Sequence, residues 1–235
     1  MKKIAAIIFS AVMVWSLTAC GNDQQTAEPS ASGAGDTLQA SEDTTGSADT
    51  QTGNSDGNIL IAYFSVPETD GVDAVSGVSR VVTDGEVLGN TQYIAQLIRQ
   101  ETGGDLFQIE TVREYPGSHD ALLEAAYEEL ADDARPELAS QIENLDSYDV
   151  IFMGYPNWNS DLPMPLYTFL EEYDFSGKTI IPFTTHGGSG FSGTIRTIQE
   201  LQPDATVSED GLSISRNSVP DAQGNVADWI AGLNL

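Results

Sequence analysis

Three segments of this 235-residue chain gather residues able to hold a charged or planar group. The first begins at Ser65 and resumes at Gly89-Asn90-Thr91, where a helical pattern opens. Amides in the first turn of a helix have no intrahelical acceptor and the helix dipole is positive there, so this corner favours an anion. Glycine lets the backbone approach closely, and the Ser65 and Thr91 hydroxyls add donors. No lysine or arginine adjoins these residues in sequence, which suits a phosphate monoester held by neutral donors better than a polyphosphate. The plainer alternative is that Asn90 or Thr91 only caps a helix. The second segment runs from Gly154 to Pro165 and carries Pro156, Asn157, Trp158 and Asn159. Its three prolines stiffen the path, and a tryptophan in a polar loop can lie flat on a ring system. The third, Thr184 to Gly193, exposes backbone donors through its glycines; His186 within it is either a proton donor or a polar loop residue.

Other chemistries fail at specific positions. Gly188, Gly190 and Gly193 match a dinucleotide fingerprint by spacing, but after the fourth strand rather than the usual first. Ser176-Gly177-Lys178-Thr179 has Glu172 where a phosphate loop needs its first glycine, and it precedes a strand. Around Ser189 and Ser192, Phe191 and Thr194 stand where a nucleophile elbow needs its second glycine. No cluster of metal-ligating residues stands out, and the only histidines are His119 and His186.

The elements that position these loops follow from apolar patterning. Ile59–Phe64, Leu106–Ile109, Val150–Met153, Thr179–Thr184 and Leu212–Ile214 are apolar runs of strand length, as expected for strands buried on both faces. Between and after them, helical spacing appears around Tyr93–Ile98, Ala121–Leu130, Leu166–Tyr173, Thr194–Leu201 and Val226–Leu233. Five alternations predict a doubly wound α/β fold with a five-stranded parallel sheet. Ligands of such sheets sit beyond the carboxyl ends of the strands, which singles out the loops after strands one, three and four. Arg80–Leu88, inside a 66–88 interruption of the first loop, reads as a hairpin about Asp84-Gly85 that either covers the anion or decorates the surface.

Residues 1–20 read as an export signal, with Lys2 and Lys3 ahead of an apolar run. Leu17-Thr18-Ala19-Cys20 resembles a bacterial lipobox, which implies lipidation of Cys20, the only cysteine. Residues 21–57 are rich in Ser, Thr, Gly, Ala and acidic residues and are expected to form a disordered linker, leaving 58–235 as the folded domain. Without the signal, seven Lys+Arg face 36 Asp+Glu, a net charge near −29. That excludes nucleic acid as an expected partner and leaves the lipid as the only expected link to a membrane. It favours a redox partner with a cationic contact surface and is expected to disfavour negative charge on a bound ring.

Taken together, Ala62-Tyr-Phe-Ser65, Gly89-Asn-Thr91, Gly104-Asp-Leu-Phe107, Arg135-Pro136, Tyr148-Asp149, Gly154-Tyr-Pro156 with Trp158, Pro163-Met-Pro165, Phe175-Ser-Gly-Lys178 and Pro182–Gly190 resemble the flavodoxin family, in particular its secreted, lipid-anchored bacterial members. The resemblance covers nearly all of 59–235 and implies a flavodoxin-like sheet of strand order 2-1-3-4-5, one FMN, and electron transfer outside the cytoplasm to a redox protein or small-molecule acceptor. Ser65, Gly89, Asn90 and Thr91 resemble the phosphate-binding turn. Pro156, Asn157, Trp158 and Asn159 resemble the first loop against the isoalloxazine, and Thr185, His186, Gly187, Gly188, Ser189 and Phe191 the second. Relatives often carry a second aromatic where Asn159 stands. Two alternatives stay open: an FMN-dependent reductase passing electrons from a nicotinamide donor to a quinone, and a binding module that has lost flavin.

Overall fold

In the first strand, β1 (Ile59–Tyr63), odd and even residues enter different cores. Ile59, Ile61 and Tyr63 join one apolar cluster, while Leu60, Ala62 and the following Phe64 join another. The period of two in a strand makes this division unavoidable when both faces are covered. The computed structural model describes residues 58–69, 79–233 and 235. The export signal, Cys20 and the linker lie outside the described residues.

After β1 comes an antiparallel hairpin, β2 (Arg80–Thr83) and β3 (Glu86–Gly89), turning on Asp84 and Gly85 at φ of 51° and 84°. Two positive φ values define the turn type whose twist suits a tight hairpin. Val81 and Leu88 bury themselves in the first core, so the hairpin is part of the fold rather than a surface appendage. Then follow α1 (Asn90–Thr102), β4 (Asp105–Gln108), α2 (His119–Ala131), β5 (Val150–Pro156), α3 (Met164–Glu172), β6 (Thr179–His186), α4 (Thr194–Leu201), β7 (Thr206–Val207), β8 (Leu212–Ser215) and α5 (Gln223–Gly232). Helix α1 stops at Gly103, whose φ of 72° permits its N–H to reach the Arg99 carbonyl.

The sheet runs β4-β1-β5-β6-β7, all parallel, which is the expected doubly wound order. One expectation is corrected. Leu212–Ile214 is only half of the fifth position: β7 pairs with Thr179 and Ile180, and β8 with Phe183–His186. The break falls beside Pro182, which has no N–H to offer a neighbouring strand. Helices α1 and α5 contribute Ile94, Leu97, Ile98 and Val226 to one core. Helices α3 and α4 contribute Leu166, Phe169, Leu170 and Ile198 to the other. Within the sheet, a Cβ on Gly154 would overlap the Phe183 ring, so only glycine lets β5 and β6 pass here.

Candidate functional site

A cavity of about 460 Å³ opens at the carboxyl ends of β1, β5 and β6. Of the fourteen residues singled out in sequence, twelve line it: Ser65, Asn90, Thr91, Pro156, Asn157, Trp158, Asn159, Thr185, His186, Gly187, Gly188 and Ser189. Gly89 and Phe191 do not. Gly89 serves the site from behind, because a Cβ there would overlap Ser65 Oγ. Phe191 packs toward the fifth-strand edge, with its ring 2.6 Å from where a Gly211 Cβ would stand.

The start of α1 differs from the sequence expectation. Most of its amides are taken: Asn90 N–H donates to the Ser79 carbonyl (3.0 Å), Gln92 N–H to Ser65 Oγ (3.3 Å) and Gly89 N–H to Gln92 Oε1 (3.2 Å). The cause is the hairpin, which returns Ser79 to the helix end and supplies the acceptor that a ligand would otherwise provide. Side-chain groups take over the lining. Ser65 Oγ accepts the Gln92 amide and keeps its own proton. Thr91 and Thr185 share one hydrogen bond at 2.8 Å, so one of their two protons is spent and the other is available to a ligand. Ser79 Oγ is buried with no partner among the described residues.

The loop after β5 is built as a miniature hairpin. Trp158 N–H donates to the Asp161 carbonyl (3.2 Å) and Asp161 N–H returns to the Trp158 carbonyl (2.9 Å). Asn159 and Ser160 make the turn at φ of 55° and 67°. Asparagine tolerates this left-handed region better than an aromatic residue does, which explains Asn159 without reference to a ligand. The half-buried Trp158 indole stands edge-on to Phe64 (5.4 Å, 82°) and Tyr115 (5.5 Å, 66°). Tyr115 is itself anchored: its hydroxyl donates to the Glu129 carboxylate at 2.8 Å and 3.0 Å. Glu129 is only 4% exposed and also pairs with Arg113 at 3.1 Å. Burial raises the Glu129 pKa despite both donors, and burial first, then Glu129, raises that of Tyr115.

Asn157 ties the two loops. Its N–H donates to the Thr185 carbonyl (2.8 Å) and its Nδ2 to the Gly190 carbonyl (2.9 Å), which leaves Oδ1 buried without a partner among the described residues. His186 accepts the Gly188 N–H at Nδ1 (2.9 Å). A backbone amide can only donate, so the ring proton resides on Nε2. Burial lowers the His186 pKa from its ordinary 6.5. Because the neutral ring is the folded form, its contribution to stability is complete above pH 6.5 and is lost as pH falls through the depressed folded value. A proton–carbon NMR titration should show a His186 midpoint below 6.5 and the Nε2–H tautomer; a midpoint at or above 6.5 would contradict this arrangement.

Several lining residues escaped the sequence reading. Ser79 sits inside the interruption, His119 opens α2, and Leu122, Leu123 and Ala126 of that helix form an apolar wall where patterning shows only one side of a helix. Arg216, immediately after β8, is the one arginine or lysine on the wall among the described residues. The rule that selected the other loops, inspection of strand carboxyl ends, would have found it if extended to the fifth strand.

Comparison with solved structures finds a candidate flavoprotein from Bacteroides uniformis ATCC 8492 at 27% identity, covering 74% of this chain and 98% of that one with a TM-score of 0.58. A candidate flavoprotein from Bacteroides eggerthii DSM 20697 matches at 26% identity, covering 72% and 97%, with a TM-score of 0.52. A flavoprotein from Lactobacillus acidophilus NCFM, solved in complex with FMN, matches at 19% identity over 71% and 97%, with a TM-score of 0.47. Comparison with curated protein sequences finds no match. The sequence profile described as Flavodoxin matches residues 80–232, well over half of the chain, and the chain therefore belongs to the flavodoxin family.

Proposed function

We propose that the domain holds one FMN in this cavity and acts as an electron carrier. The observation that carries the reading is two buried polar atoms on the cavity wall, Ser79 Oγ and Asn157 Oδ1, that have no partner among the described residues. Buried polar atoms are ordinarily satisfied, and these two are complementary in chemistry to the two ends of FMN. Ser79, with Ser65 and Thr91, offers hydroxyl donors to a phosphate. Asn157 Oδ1 offers an acceptor to an imide N–H on a ring, next to the indole of Trp158. Family membership and the two Bacteroides proteins named as candidate flavoproteins support the same cofactor. FMN supplies the one- and two-electron chemistry; this chain binds it, orients it and limits water at the ring. The test is a titration of FMN fluorescence with purified domain. Quenching that saturates at one FMN per chain is expected, and unquenched flavin at micromolar protein would remove the assignment.

A second reading is favoured by one feature. Leu122, Leu123 and Ala126 give the cavity an apolar wall suited to a small apolar electron acceptor, as in a quinone reductase. Steady oxidation of NADH or NADPH upon quinone addition would establish it over the carrier.

We further propose that the domain works outside the cytoplasm on a lipid carried by Cys20, and that its electron-transfer partner presents a cationic face to its acid-rich surface. The support is the Leu17-Thr18-Ala19-Cys20 sequence behind an apolar run, and the excess of 36 Asp+Glu over nine Lys+Arg. Detergent-phase partitioning tests the anchor: the full chain should partition with detergent, and Cys20→Ser should move it to the aqueous phase. Equal partitioning of both proteins would sink the anchor.

A further inference from the structure

The cation on the cavity wall is not explained by the protein. The chain has only nine Lys+Arg against 36 Asp+Glu, so carboxylate partners are plentiful. Arg113 and Arg196 each take one, and Arg135 takes two. Arg216 makes no hydrogen bond or ion pair among the described residues, yet it lines the cavity. Its position is fixed by backbone. Ser215, the residue before it, is in register with His186 at the ends of β8 and β6. From there the guanidinium reaches back over Gly187: Nη1, Cζ and Nε lie 3.5, 3.6 and 3.9 Å from where a Gly187 Cβ would stand. The hydroxyls of Ser65, Ser79 and Thr91 gather instead at the start of α1.

We infer that Arg216 is the counter-charge for the reduced flavin ring, which rests on the FMN reading above. An isoalloxazine that takes two electrons from an external reductant such as dithionite and one proton from water carries one negative charge that the oxidised ring lacks. A guanidinium against the Gly187 loop favours that charged form and is nearly indifferent to the neutral oxidised one. Its effect therefore falls on the reduced state, offsetting locally the acidic surroundings that lower the potential of a bound ring. A partner that reduces this domain then meets an acceptor whose driving force one side chain raises. Lysine at 216 keeps the charge but not the planar fork.

The experiment is a potentiometric titration of the FMN-loaded domain, with dithionite as reductant and a reference dye, on the wild type, Arg216→Gln, Arg216→Glu and Arg216→Lys. Dissociation constants for oxidised FMN and riboflavin are measured in parallel, and circular dichroism verifies each fold. The expected result is that Arg216→Gln binds oxidised FMN within about twofold of wild type. It should bind reduced FMN about tenfold more weakly, which lowers the two-electron potential by about 30 mV. Arg216→Glu should lower it further, and Arg216→Lys should retain most of the wild-type value. Should Arg216→Gln fail to fold, the Glu and Lys variants must still differ in potential in this order. If oxidised FMN binding weakens while riboflavin binding and potential stay unchanged, Arg216 is a phosphate receptor and the inference is overturned. Unchanged potentials and affinities overturn it as well. Wild-type protein that binds no flavin removes the FMN reading and this inference together, whereas bound flavin with an unmoved potential removes this inference alone.

Discussion

Replacing Trp158 by alanine should weaken FMN binding by about ten- to a hundredfold while lowering the melting temperature of the ligand-free domain by only a few degrees, the loss expected from two edge contacts. Stacking a flat heterocycle on an aromatic side chain contributes about 1–3 kcal/mol, and each 1.4 kcal/mol is a factor of ten in affinity. The indole is half-buried, makes T-shaped contacts with Phe64 and Tyr115, and lines the cavity, where a flat ring can reach it. The loop does not depend on it. The turn at Asn159–Ser160 is closed by backbone bonds between Trp158 and Asp161, and these survive truncation of the side chain. Phenylalanine at 158 should recover much of the loss. Fluorescence titrations of the three proteins decide the matter; Trp158→Ala affinity within twofold of wild type would mean that the ring lies elsewhere.

The strands were legible because burial on both faces imposes a continuous apolar run. Ile59–Phe64 is the clearest case, and its two alternating sets reach separate cores. The hairpin was equally legible, since Asp84-Gly85 between Val82 and Val87 is a turn with a known backbone requirement. What stayed hidden depended on where backbone groups end up in space. The Gly89-Asn90-Thr91 corner suggests a row of free amides in sequence, but Ser79, eleven positions before Asn90, returns to supply an acceptor for the Asn90 amide. Asn159-Ser160 lacks the glycine that usually marks a turn with two positive φ values. The split of the fifth strand required knowing that Pro182 lies beside it. Arg216 is one charge among 45 ionisable Asp, Glu, Lys and Arg residues. That it pairs with no carboxylate among the described residues, which makes it informative, is visible only in the folded chain.

The core that carries the site offers the complementary test. Phe169→Ala should cost about 3–5 kcal/mol, the usual range for emptying a buried phenylalanine position. Its ring is fully buried, stacked at 28° on Phe107 (6.0 Å) and tilted against Tyr173 (4.9 Å) and Phe175 (5.8 Å), so removal leaves three aromatic neighbours without a partner atom on one side. At about 2–4 °C per kcal/mol for a domain of this size, the melting temperature should fall by about 10 °C. Phe169 does not line the cavity. FMN affinity of the folded protein should therefore be retained, and flavin at a hundred times its dissociation constant should return about 2.7 kcal/mol, as it does for wild type. Trp158→Ala should behave in the opposite way, with a smaller loss of apo melting temperature than Phe169→Ala and little stabilisation by the same flavin concentration. Calorimetry of both variants with and without FMN separates packing from binding. If Phe169→Ala lost flavin affinity without losing stability, the cavity at the ends of β1, β5 and β6 would not be where the cofactor is held.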